Sequence, residues 1–125
     1  MLFVKVGKRL VKDGSVSMGN EKSYEKKIKK YLDDHKAWYV KYFANEFTKA
    51  GIPDILACVN GYFVGIEVKA QNGKPTELQL YHCKRIREAG GLAFVVYPSG
   101  FDRLKAVIIN LLDDRWPDDV GIILK

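Results

Sequence analysis

Residues 51–69 read GIPDILACVNGYFVGIEVK, and the Asn60-Gly61 pair near the middle decides how the rest is read. Asn-Gly between two β-branched and aromatic runs is the strongest short-range signal for a hairpin closed by a two-residue type I′ turn. With those residues in the turn, Val59 faces Tyr62, Ile55 faces Ile66, and Asp54 faces Glu67. The two carboxylates then project from one side of the ladder, in a non-hydrogen-bonded pair where Cα atoms approach to about 4.5 Å. Lys69, two positions beyond Glu67, points to that same side. Ile55, Ala57, Val64, Ile66 and Val68 alternate onto the other side as a core layer. Pro53 has no N–H to give the ladder, so pairing is expected to fray just beyond the acids and leave room beside them.

Like charges directly opposed weaken a hairpin. Carboxylates so placed either share a proton or bind a cation. Oxygen ligands alone suit a hard ion, Mg²⁺ or Mn²⁺, that keeps waters for a substrate to replace. The same geometry also admits a surface ion-pair cluster in which Lys69 or Lys41 neutralises the pair.

Outward from the hairpin, both helical and strand patterns continue. Tyr24, Ile28, Tyr31 and Leu32 make one apolar stripe, which predicts a helix from Ser23 to about Asp34 with Glu25 at the stripe's border. WYVKYF, 38–43, reads as a strand. A helix is predicted from about Thr76 to Ala89, with Leu78, His82, Cys83, Ile86 and Ala89 inward and Gly90-Gly91 at its end. LAFVVY, 92–97, has the continuous apolar character of a buried strand, and 101–114 reads as a last helix. The order is α-β-β-β-α-β-α, an α/β fold with a mixed sheet flanked by helices. LFVKV and RLV suggest short strands joined at Gly7-Lys8, followed by a loop, DGSVSMGN. Residues 1–20 are thus an arm or a dimer contact.

At 125 residues the chain fits one domain, 1–125. No membrane-length apolar run or signal-peptide pattern occurs, so an intracellular protein is expected, with Cys58 and Cys83 as free core thiols. His35 and His82 lack partners at zinc spacing, and His82 reads as a core histidine. Residues 1–50 hold 12 Lys/Arg against 6 Asp/Glu, so the whole net charge of +6 lies there, with four lysines in EKKIKK. Such a face attracts polyanions or is merely solvated.

GIPD, then EVK after twelve residues, then Gln79 in GKPTELQ and Gly90-Gly91 before the next strand, together resemble the PD-(D/E)XK nuclease superfamily. Within it the chain is most similar to a stand-alone VRR-NUC domain, over about residues 22–100. The resemblance implies a restriction-endonuclease-like core of order α-β-β-β-α-β. It implies that Asp54, Glu67 and the Val68 carbonyl hold Mg²⁺, with Mn²⁺ able to substitute, and that Glu25 helps hold a second metal or its waters. Lys69 would orient or deprotonate the attacking water, and Gln79 would support it. Gln79 also fits a Thr76-x-x-Gln79 capping box. Lys41 matches a basic position that could touch the scissile phosphate, and Lys26, Lys27 and Lys30 would track the DNA backbone. The implied function is a Mg²⁺-dependent, structure-specific DNA endonuclease of the Holliday-junction-resolvase type. It would act as a homodimer on branched DNA with little sequence specificity, in repair or in a phage or mobile element. AVIINLL, VGIILK and residues 1–20 are the candidate dimer contacts. A restriction-like or flap/end nuclease and a non-catalytic DNA-binding module are the alternatives.

Overall fold

The computed structural model describes residues 3–6, 9–12 and 20–125. Strands β1 (Phe3–Val6) and β2 (Arg9–Lys12) pair antiparallel in a sheet of their own. Most of the loop expected after them, and the Gly7-Lys8 joint, lie outside the described residues.

Helix α1 runs Glu21–Asp34. It starts two residues earlier than the apolar stripe suggests, because Asn20 caps it, its Oδ1 accepting the Ser23 N–H at 2.9 Å. Strands β3 (Trp38–Lys41), β4 (Ile55–Val59) and β5 (Tyr62–Val68) follow, then α2 (Glu77–Glu88), β6 (Leu92–Val96), a 3₁₀ turn, α3 (Phe101–Leu112) and β7 (Ile123–Leu124). The five strands β3 to β7 form one sheet in sequence order. β3/β4 and β4/β5 are antiparallel, whereas β5/β6 and β6/β7 are parallel. The predicted order from the first long helix to the last is present, with β7 added at the far edge.

The hairpin has the register read from its turn. Val59 pairs with Tyr62 and Ile55 with Ile66. Both turn residues take positive φ, 50° at Asn60 and 88° at Gly61, as type I′ demands. The Asn60 side-chain amide also donates to the Leu111 carbonyl at 2.9 Å, pinning the turn to the end of α3.

Alternation along the strands sorts the two faces. Ile55, Ala57, Val59, Val64, Ile66 and Val68 pack with α1 (Tyr24, Ile28, Leu32) and α3 (Leu104, Val107, Ile108, Leu111) in the larger core. Against the opposite face, Cys83, Leu80 and Ile86 of α2 meet Ala93 and Val95 of β6. Helices on both faces explain why every residue of β6 is buried. The inner side of α2 differs from its predicted stripe: Leu80, Cys83 and Ile86 face the sheet, while Leu78 is 45% exposed and Ala89 is exposed. Leu78 lies against Gly51 and is outside the cluster that α2 makes with β6. Cys83 is a core thiol, but Cys58 is exposed on β4 because α2 covers β5 and β6 and leaves that part of the sheet open. The C-terminal stretches are core pieces in the main, with Val107, Ile108, Leu111 and Leu124 buried.

Arg87 locks the far end of the fold. Its Nε donates to the Ala93 carbonyl at 2.8 Å, Nη1 to Val120 at 2.6 Å and Nη2 to Gly121 at 2.8 Å. One planar guanidinium thus ties α2, β6 and the segment before β7 together, a geometry an ammonium cannot reproduce. Arg87→Lys is therefore expected to cost about 2 kcal/mol in urea unfolding. It should also speed amide exchange at residues 120–124 more than elsewhere. No helix among the described residues is long and apolar enough to cross a membrane.

Candidate functional site

The ladder between β4 and β5 stops at Ile55, one residue short of Asp54. Pro53 supplies no donor, and the chain bends at Asp54. Asp54 remains tied to both neighbours. Its carbonyl accepts the Tyr42 N–H at 2.8 Å, and its carboxylate Oδ2 accepts the Val68 N–H at 2.8 Å. The side chain thus takes over the role that a ladder carbonyl would have played and fixes the Asp54 carboxylate against β5. Gly51, three residues before Asp54, closes on α2 instead. With φ +80°, it lies so close to α2 that a Cβ there would stand 2.6 Å from Leu78 Cγ.

Glu67 comes from the interior of β5 and is 2% exposed. Gln79 Nε2 donates to its Oε2 at 3.2 Å, and the Lys69 ammonium stands 3.8 Å from the same oxygen. Its Oε1 is buried with no donor. Burial first, and then the adjacent Asp54 carboxyl, push the Glu67 carboxyl up to about 8. Asp54, Glu67 and Lys69, which the hairpin register placed on one side, are accordingly one cluster, and Gln79 joins it through Glu67.

Gln79 forms the capping box that its sequence context suggested and also touches Glu67. Its Oε1 accepts the Thr76 N–H at 2.9 Å while its own N–H donates to Thr76 Oγ1 at 3.1 Å, a complete capping box. The remaining amide nitrogen is the group on Glu67. Capping therefore orients the side chain that orients the acid.

Glu25 and Lys41 stand one step away. The Lys41 ammonium donates to Glu25 Oε1 at 2.7 Å and to Asp54 Oδ1 at 3.3 Å, and Lys29 holds Glu25 Oε2 at 2.8 Å. Burial alone would raise the Glu25 carboxyl, but the two lysines outweigh it and hold it below the usual range. Burial would likewise lower Lys41, and its two carboxylates reverse that. Expected as a metal-side acid, Glu25 instead has both oxygens on ammonium groups. Among the described residues no three of His, Cys, Asp and Glu gather into a metal-holding group. Lys29, absent from the predicted set, was visible as the i+4 partner of Glu25. Lys41, expected to meet phosphate, spends its charge on the acids.

The basic helix face is only partly committed. Lys26 is exposed, Lys27 lies 4.5 Å from the Phe101 ring centroid, and Lys30 pairs with Asp34 at 3.0 Å. None of the three is brought to the carboxylates by a described contact. His35 hydrogen-bonds the Tyr31 carbonyl through Nδ1 at 2.8 Å, and His82 is half-buried beside Gly51 and Tyr81.

Set against protein-family models, curated proteins and solved structures, the chain matches none. The residues themselves are what a functional reading rests on.

The donor set fits a hard divalent cation at the Asp54–Glu67 pair. Two acidic side chains, one with a buried oxygen that has no donor, offer oxygen ligands, and a cation there would displace the proton that burial holds on Glu67. The Val68 carbonyl is the neutral oxygen between Glu67 and Lys69 in the chain.

Proposed function

We infer that the protein is a Mg²⁺-dependent endonuclease hydrolysing DNA phosphodiesters, a VRR-NUC-like member of the PD-(D/E)XK group that acts on branched DNA as a homodimer. The observation that carries the reading is Glu67 Oε1, a buried carboxylate oxygen without a donor beside a second carboxylate and an ammonium. A buried acid so placed is costly unless something neutralises it.

Asp54, Glu67 and the Val68 carbonyl would hold the cation, which when bound supplies Lewis-acid polarisation of a phosphoryl oxygen and a water of lowered pKa. Gln79 keeps Glu67 turned toward Asp54. Val68 N–H and Lys41 keep Asp54 in place. Lys69 orients the attacking water and stabilises the extra negative charge at phosphorus. Water adds to phosphorus as one P–O ester bond breaks, and the proton it gives up ends, by way of solvent, on the departing oxygen. The basic α1 face offers charge for the flanking backbone.

A second reading has its own support. Lys41 already stands on Asp54 at 3.3 Å and Lys69 near Glu67 at 3.8 Å, so the cluster resembles a self-neutralised ion-pair network in a DNA-binding module. Incubation of the pure protein with labelled linear duplex, flap, splayed-arm and four-way junction DNA separates the two. Paired nicks in the junction with Mg²⁺, and none with EDTA, are expected. Cutting restricted to linear or flap DNA would move the assignment to a restriction-like or flap nuclease. Binding without cutting under any divalent metal would leave the network reading.

A further inference from the structure

The segment between β3 and Asp54 carries two aromatic side chains that the core does not use. Phe43 is 74% exposed and Phe47 is 88% exposed. The loop that presents them is nevertheless built. Asn45 Oδ1 accepts the Phe47 N–H at 2.7 Å, the Asn45 N–H donates to Thr48 Oγ1 at 2.7 Å, and the Thr48 N–H reaches the Asn45 carbonyl at 3.2 Å. The Tyr42 hydroxyl ties down the Lys49 carbonyl at 2.7 Å. Ordering a turn in order to hold a phenyl ring in water returns no burial among the described residues.

Position narrows what the rings are for. The Lys41 ammonium is 5.9 Å from the Phe43 ring centroid and 3.3 Å from Asp54 Oδ1, so that ring stands beside the acidic cluster. At Lys49 the loop enters a surface groove of about 550 Å³ lined also by Leu78, Tyr81, His82 and Arg85. The groove runs along α2, the helix whose Gln79 touches Glu67. Tyr81 is 53% exposed there, and Arg85, itself paired with Glu88 at 3.1 Å, is solvent-facing.

Exposed rings interleaved with cations match an unpaired nucleic-acid strand, whose bases stack on aromatic faces while its phosphates meet Lys and Arg. We propose that loop 43–50 and the adjoining groove seat an unpaired DNA strand leaving the cleavage site. Phe43 and Phe47 stack on its bases, and Lys49 and Arg85 meet its phosphates. The identity of that strand as substrate rests on the nuclease reading above.

The test reads binding apart from cleavage. Fluorescence anisotropy in EDTA compares a flap carrying 2-aminopurine in its unpaired arm with a linear duplex of the same sequence. The wild-type protein should prefer the flap and quench the 2-aminopurine. Phe43→Ala/Phe47→Ala should lose at least about fivefold in flap affinity, together with the quench, and keep its duplex affinity. Phe43→Tyr/Phe47→Tyr should recover both. Equal loss on the two DNAs, or no loss, overturns the proposal. So does a shift from dimer to monomer on sedimentation with flap affinity intact, which would make the rings a contact between copies. Flap preference in EDTA without cutting in Mg²⁺ would remove the nuclease reading and leave the strand track standing. Cutting that ignores the rings would do the reverse.

Discussion

Asp54→Asn is expected to lower Mg²⁺-dependent cleavage by at least about 10²-fold while leaving the fold and DNA affinity in place. The asparagine carbonyl can still accept the Val68 N–H that Asp54 Oδ2 accepts at 2.8 Å, so the bend after Pro53 persists. Lys41 keeps its shorter bond, 2.7 Å to Glu25. What disappears is one of the two negative charges facing the cation, and a site left with a single carboxylate holds a divalent ion poorly. DNA binding in EDTA should be equal or tighter, since a negative group near the phosphate path has been removed and α1's lysines are untouched. Asp54→Ala separates structure from charge. It leaves the Val68 N–H without its partner, so it should also lower stability, by about 1–3 kcal/mol. Wild-type cleavage by the asparagine variant would sink the site assignment.

Why these residues could be found in the sequence, and others not, follows from the range of the forces involved. Asp54 and Glu67 are brought together by a two-residue turn whose φ values only Asn-Gly-like pairs adopt cheaply, so local chemistry sets a register that runs to the Ile55–Ile66 pair next to them. Gln79 was legible as a cap because capping boxes are local. The second partner of Glu25 depends on how α1 lies against β3, which no spacing within one element encodes. Its pairing with Lys41 therefore became visible only once the sheet was assembled. Arg87 was invisible for the same reason, since its acceptors come from β6 and from thirty-odd residues downstream. The exposed side of β4 at Cys58 likewise reflects which strands α2 happens to cover, not the alternation within the strand.

In EDTA, the stability of the metal-free protein should fall as pH rises from about 5 to 8, by roughly 3–5 kcal/mol, and the fall should vanish in Glu67→Gln. The Glu67 carboxyl ordinarily loses its proton near 4.5, and burial followed by the Asp54 charge raises it to about 8 in the fold. Between those values the folded chain keeps a proton that the unfolded chain has released. The stabilisation is therefore full below about 4.5 and gone above about 8. Glutamine can accept from Gln79 through its carbonyl and turn its NH₂ toward Asp54, so the variant should be more stable than wild type at pH 8 in EDTA. Other titrating groups act alike in both proteins, and urea unfolding at pH 5, 6.5 and 8 reads the difference. Mg²⁺ competes with protons for the same oxygens, so it should raise the wild-type midpoint at pH 8 far more than at pH 5, and should do little for Glu67→Gln. Parallel pH profiles for the two proteins would mean that Glu67 is already neutralised by Lys69 and Gln79, and the case for a cation at its unpartnered oxygen would fall with them.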